Sequence, residues 1–409
     1  MKKIIAILRN KNFIWNMLGV SFNAFYSLIL VIIVTRLNGV AVAGQFSFAF
    51  YVSSIAQTIG NYGGRIFQVS DVSGKYTDGD YVILKYVSSM IMMLTVIGFC
   101  LVNGYGIVKL SLIVVMTLYR FFESVSESYY GILQKNENLV SVGKSMSYRV
   151  LLGMILFVGI DIVSKNILLA SLGFVFSYFL FMLFYERRIA EEYTRIELQI
   201  SKRLIQILKE CFSVFLYTFL YLLILNITRY FVDIRLNDEM QGYYSILIMP
   251  ASIIALFSQF MMQPLTTKLV DFYYKNISKF IKTVWLMIVG LMGFGAACSI
   301  VTYFIGTPIL SFVYGLELSK YKIGLALVVF SGVCSGVTSI ISNILVIMRK
   351  MKHQIICYFV SVITTTLISI ALVRENVIDG LVAYILSMVF QMILFLGIYV
   401  VTIERKRKG

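Results

Sequence analysis

Phe13–Thr35 reads FIWNMLGVSFNAFYSLILVIIVT, a run in which no side chain carries a charge. About 20 consecutive apolar residues cross the hydrocarbon of a bilayer as a helix, so this stretch reads as a membrane span. The basic segment Met1 to Asn12 before it gives the outline of a signal peptide. The apolar run is too long for an h-region, however, and no small-residue cleavage site follows, so it is expected to be retained. Further runs lie near 40–61, 81–103, 107–133, 146–163 and 167–185, and then near 211–235, 241–262, 281–304, 323–348, 354–373 and 377–403. The sequence thus predicts an all-α polytopic membrane protein of about 12 transmembrane helices.

Composition agrees. Hydrophobic residues make up 59% of the 409 residues, charged residues 14%, and the mean hydropathy is +0.86. An ordinary soluble domain carries about 25% charge. A soluble enzyme, a disordered chain and a disulfide scaffold are excluded. The five cysteines (Cys100, Cys211, Cys298, Cys334, Cys357) lack metal-ligand spacing and read as small apolar residues. His353, the single histidine, reads as a solvated loop residue.

The longest polar interval, Glu186 to Glu210, divides the runs into two sets of six. The boundary is placed so that 1–200 form an N-terminal six-helix bundle and 201–409 a C-terminal one. Within the interval, Ile200 to Leu208 alternates basic and apolar residues as an interfacial helix would. The net charge of +16 is uneven across the membrane: 27 Lys and Arg fall on the side of the termini, eight on the other side, and Arg120 mid-span. That bias places both termini in the cytoplasm. It also accounts for the high pI without nucleic acid as a partner.

The two halves share a pattern. Arg36-Leu37-Asn38, Gly44 and Ser47 correspond to Arg235-Leu236-Asn237, Gly242 and Ser245, as expected of a parallel repeat about the membrane normal.

Polar residues inside the runs carry the functional reading, because in lipid they must face protein or water. Ser47, Tyr51, Ser54, Gln57, Asn61 and Arg65 share one face of the second span. Asn16, Asn23 and Ser27 mark the first, Thr218, Asn226, Arg229 and Asp233 the seventh, and Ser252, Gln259 and Gln263 the eighth. Interhelical hydrogen bonds, worth roughly 0.6–2 kcal/mol each, account for single Ser or Asn residues; a repeated stripe ending in Arg points to a water-filled cavity. In the fourth span Arg120, Glu123 and Glu127 share a face, with Glu123 the expected partner of Arg120. Arg36, Arg65, Arg120, Arg229 and Arg235 outnumber Glu123, Glu127 and Asp233, a balance that suits an anionic substrate and matches the guanidinium fork to phosphate. Gly60, Gly63 and Gly64, and Pro250, which is expected to interrupt the eighth span, offer points of bending. No P-loop and no Ser/His/Asp or metal constellation is present, so no catalytic residue, cofactor or bound metal is expected.

The stretch Asn16 to Arg36, with Gly44-Gln45-Phe46-Ser47 and Asn61-Tyr62-Gly63-Gly64-Arg65, resembles bacterial O-antigen and polysaccharide flippases. So does Asn226 to Pro264, with Gly242-Tyr243-Tyr244-Ser245 and Gln263-Pro264. These belong to the multidrug/oligosaccharidyl-lipid/polysaccharide exporter superfamily. The resemblance implies two pseudo-symmetric bundles around a central cationic cavity. It also implies a non-enzymatic flippase for an undecaprenyl-pyrophosphate-linked oligosaccharide in the bacterial inner membrane. Carried onto this sequence, Arg65, Arg229 and Arg36 would meet the pyrophosphate from the cytoplasmic mouth outward, in a cavity that Arg120 also lines. Asn23, Gln57, Asn61 and Asn226 would contact sugars. Glu123 and Asp233 would be candidates for proton or sodium coupling. The implied partners are the lipid-linked glycan, membrane lipids, and the polysaccharide polymerase and chain-length machinery. A drug or organic-cation antiporter of the same superfamily is the competing reading, and the excess of arginine argues against it.

Overall fold

The computed structural model describes the backbone of residues 11–71, 74–200 and 202–408; the side chains at 13, 256, 257, 259–261, 263, 264, 267, 407 and 408 lie outside that description. Met1 to Asn10 and the side chains of Gln259, Gln263 and Pro264 therefore fall outside it. Among the described residues there is no strand.

The long helices are α1 (Lys11–Asn38), α2 (Val40–Gly60), α4 (Asp78–Val102), α5 (Ile107–Lys135), α6 (Leu139–Ser164) and α7 (Ile167–Leu180). A short α3 (Gly64–Ser70) follows α2, and α7 continues through a π-helical turn, Phe181–Glu186, into α8 (Arg187–Glu191). The second set is α9 (Lys202–Arg235), α10 (Asp238–Lys275), α11 (Ile277–Tyr314), α12 (Lys322–Ile347), α13 (Met351–Leu372) and α14 (Val377–Lys408). Ten of the described helical segments are long and apolar enough to cross a membrane. The other two long helices are α10 and α5, and α5 spends its apolarity on Lys109, Arg120, Glu123, Glu127 and Lys135.

Helix starts follow from local chemistry. Asn138, Asn166, Asn237 and Asn276 each turn a side-chain oxygen onto an N–H of the first turn that follows, at 2.8–3.1 Å. Such caps satisfy donors that have no partner within the helix. Thr77 and Asp80 form a reciprocal capping box at the start of α4.

The chain forms two compact units, Met1–Phe219 and Leu220–Gly409. In the first, α1 packs on α6, α2 and α4 on α5, and α6 on α7. In the second, α12 packs against α10, α11 and α14. A helix apolar all round belongs in an interior, and α12 is buried along most of its length. Gly332 permits its close approach to α10: a Cβ there would stand 2.5 Å from the Ala251 carbonyl oxygen.

Three expectations change. The segment expected as a separate interfacial helix is instead the start of α9. Its side chains Leu204 and Ile207 pack, together with Cys211, against Tyr76, Tyr81, Ile83 and Leu84, while Ile205 is exposed. Lys75 pairs with Glu210 and Arg203 with Asp80 around that cluster. Pro250 does not interrupt its span, since α10 runs through it; a membrane helix tolerates the one lost hydrogen bond when its neighbours satisfy the freed group. His353 lies in the first turn of α13, half-buried, because that helix begins earlier than its apolar run.

Candidate functional site

The first unit holds a chain of buried charges. Glu123, on α5, accepts from Arg120 Nη1 at 2.6 Å and Gln57 Nε2 at 2.8 Å. It also accepts from Arg149 Nη2 at 3.1 Å and Asn23 Nδ2 at 3.3 Å. Four donors from α1, α2, α5 and α6 thus converge on one carboxylate. The helical spacing of α5 puts Arg120 one turn from Glu123, and the other terminal nitrogen of Arg120, Nη2, donates to Ser54 Oγ at 3.0 Å. Tyr119 and Phe50 cover the Arg120 guanidinium with their rings at 4.7 and 4.9 Å.

Arg149 extends the chain. Its side chain is fully buried, and its Nη1 lies 3.5 Å from Glu186 Oε1. That oxygen also accepts from Tyr130 at 2.6 Å and Ser145 at 2.5 Å. Tyr178 stacks beneath the Arg149 guanidinium at 4.5 Å. Glu186 ends the π-helical turn after α7. The wider turn rotates the chain relative to a continuous α-helix, and such turns recur at functional positions.

The order Arg120, Glu123, Arg149, Glu186 alternates in sign and sums to zero formal charge. Desolvating four ions costs several kcal/mol each, and mutual attraction offsets this only where every lone pair and proton is met. Here Glu123 is fully met, whereas Arg120 Nε, Arg149 Nε and Nη1, and Glu186 Oε2 have no hydrogen-bond partner. Arg149 and Glu186 did not emerge from the sequence as site residues. With the fifth span starting near 146, Arg149 counts with the cations at the end nearest the termini, whereas α6 starts at Leu139 and buries it. The series Ser141, Ser145 and Arg149, stepping by four, was the available signal; for Glu186 there was none, because nothing in the sequence announces the π-turn.

Arg65 lies apart from this chain. It follows the break between α2 and α3, where Gly63 adopts φ 79° and Gly64 φ 66°. Its Nε stands 3.7 Å from Glu127, with both side chains about one-fifth exposed (23% and 21%), and its Nη1 is buried without a hydrogen bond. Lys85, buried in α4, donates to the Asn61 carbonyl at 2.5 Å, and Ser88 donates to that of Gly60 at 2.7 Å. The end of α2 is thus held by a buried cation of α4. Asn61 Oδ1 is buried with no partner.

In the second unit Arg229 and Asp233 are buried on α9, with Arg229 in electrostatic reach of the Tyr244 and Tyr384 phenols. Asn226 donates to its own helix at Leu222, 2.8 Å away. Arg235 is tied to the Ile370 and Val373 carbonyls at 2.6 and 2.8 Å. Arg36 stands exposed in the last turn of α1. The repeated Arg-Leu-Asn tripeptide therefore closes a span in both units by different bonds: Asn38 donates to Asp161 at 2.6 Å, whereas Asn237 caps α10. Among the described residues no group of three or more His, Cys, Asp or Glu could hold a metal ion.

The chain is 26% identical over 343 residues to the capsular polysaccharide biosynthesis protein CapF of Staphylococcus aureus, a match covering 81% of this chain and 85% of that protein. No family model matches the sequence. Its fold is that of transporters of the multidrug/oligosaccharidyl-lipid/polysaccharide superfamily. An inward-facing multidrug resistance MATE transporter of that superfamily superposes with a TM-score of 0.74 at 14% identity, covering 96% of this chain and 99% of the other. The lipid II flippase MurJ in an inward closed conformation gives 0.71 at 13%, covering 94% and 87%.

Proposed function

We propose that this protein is a flippase that carries an undecaprenyl-pyrophosphate-linked oligosaccharide across the bacterial inner membrane by alternating access, with both termini in the cytoplasm and the polysaccharide polymerase and chain-length machinery as partners. The observation that carries this reading is the similarity to a capsular polysaccharide biosynthesis protein along four-fifths of the chain, on a transporter fold. Whether the glycan serves O-antigen, capsule or another surface polymer is set by sugars that generic polar side chains do not specify.

In this proposal a central cavity receives the phosphate-bearing headgroup. Arg65 meets the pyrophosphate first: it is partly exposed, loosely paired with Glu127, and keeps one nitrogen without a bond. Arg229 of the second unit and then Arg36 are proposed to meet it as it moves outward. Asn61 offers a sugar its free amide oxygen. Asn23 likewise has an amide oxygen without a bond, whereas the amide nitrogens of Asn23 and Gln57 are given to Glu123 and that of Asn226 to Leu222. Arg120 has both terminal nitrogens engaged, so it holds the network rather than the substrate. Glu123 is the stronger of the two coupling candidates. A proton taken up there must displace one of four donors drawn from four helices, which links protonation to helix packing. Asp233 remains the candidate in the second unit.

The likeness to a multidrug transporter keeps an organic-cation antiporter as the second reading. Ligand-induced stabilisation separates them. The purified protein is heated with a polyprenyl-pyrophosphate disaccharide or with a hydrophobic organic cation. Stabilisation by the phosphate lipid, lost in Arg65→Ala, supports the flippase; stabilisation by the cation alone overturns it.

A further inference from the structure

One pocket of the second unit has no part in the transport path proposed above. It lies where α10 ends, where α12 turns into α13, and beside the last turns of α14. Its volume is about 290 Å³, and Tyr273, Met348, Lys350, His353, Arg405 and Lys406 line it. Arg349 takes a left-handed φ of 56°, which closes α12 and turns the chain so that Lys350 and His353 face the same hollow. His353 Nδ1 is buried there with no hydrogen-bond partner. Lys406 lies over the Tyr273 ring and donates to the Tyr273 carbonyl at 3.1 Å, which fixes the end of α14 against α10.

Among the described residues no carboxylate lines this pocket. The acids on adjacent turns are Asp271, paired with Lys275 at 2.6 Å, and Glu404, which is exposed. Three cations and an imidazole nitrogen without a bond thus surround a concave space with no counter-ion among the described residues. Just deeper along the same helices, Val346, Ile356 and Val401 are exposed. A basic hollow between helix ends, with exposed apolar side chains on the neighbouring turns of the same helices, matches a lipid that has an anionic phosphate and acyl chains. A soluble anion has no use for those side chains.

We infer that this pocket binds the phosphate of an anionic phospholipid headgroup, with the acyl chains lying along Val346, Ile356 and Val401. The site is independent of the transported substrate. Its occupant would hold the ends of α10, α13 and α14 together, because each supplies one wall.

The test is native mass spectrometry of the full-length protein, with phosphatidylglycerol and phosphatidylethanolamine of matched chains as probes and excess inorganic phosphate as competitor. Wild type should retain phosphatidylglycerol in preference to phosphatidylethanolamine. Each cation near a membrane contributes about 1 kcal/mol, so Lys350→Gln with Arg405→Gln should lower the affinity about 30-fold. Arg405→Gln alone, at an exposed helix end, should lower it about fivefold, and serves if the double variant does not fold. Removing two exposed cations elsewhere, Arg188→Gln with Lys202→Gln, should change nothing. Equal loss in that control, equal retention of both lipids, or displacement by inorganic phosphate at the lipid's own concentration would overturn the inference.

Discussion

Glu123→Gln tests the buried charge chain most sharply. The carboxylate accepts from Arg120, Arg149, Gln57 and Asn23, and its side chain is 4% exposed. The amide keeps the shape but loses the charge, and its NH2 must face a donor. Arg120 then loses its carboxylate partner, and Arg149 is left with Glu186 alone. Removing one partner of a buried pair costs about 3–5 kcal/mol, because the other charge stays behind. For a unit of this size, about 2–4 °C per kcal/mol converts that to roughly 6–20 °C in the unfolding midpoint. Intrinsic-fluorescence melting in detergent measures it. Replacing a whole pair is far milder than breaking one, so Glu123→Gln with Arg120→Gln should regain part of the loss. A single variant that melts with wild type, or a double variant that melts below it by the sum of the two singles, would refute the argument.

Arg65→Ala and Arg229→Ala should each abolish lipid transport in vesicles, whereas Lys at either position should retain part of it; wild-type rates in both Ala variants would remove them from the site. Gly63→Ala should destabilise the first unit by at least ~1–2 kcal/mol, the cost of a left-handed non-glycine residue, since its φ is 79° and a Cβ would lie against Cys211 Sγ. Unfolding measurements on Gly63→Ala with and without Cys211→Ala separate backbone strain from the clash, and no loss in either would contradict the geometry. A reporter fused after Glu210 should be inactive if that reporter works only in the periplasm; activity there would reverse the assigned orientation.

The spans were legible because apolar length is written directly in the sequence: α2, α7 and α12 begin within a residue of their predicted starts. Starts set by polar residues were not. Helices α6 and α9 begin seven and nine residues before their apolar runs. In both cases the added turns bury selected side chains, Ser145 in one and Leu204 and Ile207 in the other. The pairing of Arg120 with Glu123 followed from spacing on a single helix. The second pair, Arg149 and Glu186, joins two consecutive helices through a π-turn, and no local pattern encodes it. Its discovery changes the charge argument, since Arg120 and Arg149 are matched by Glu123 and Glu186. The case for an anionic headgroup now rests on Arg65 and Arg229.

The central claim is that a phosphate-bearing glycolipid crosses the bilayer through this protein. The direct measurement is a leaflet assay: vesicles containing the purified chain are loaded with a fluorescent polyprenyl-pyrophosphate oligosaccharide, a proton or sodium gradient is imposed, and the fraction reachable by an external, membrane-impermeant quencher is followed in time. Movement between leaflets faster than in protein-free vesicles, and slowed in Arg65→Ala, is the predicted result. Rates equal to those of protein-free vesicles, with folded protein and an intact gradient, would contradict the account.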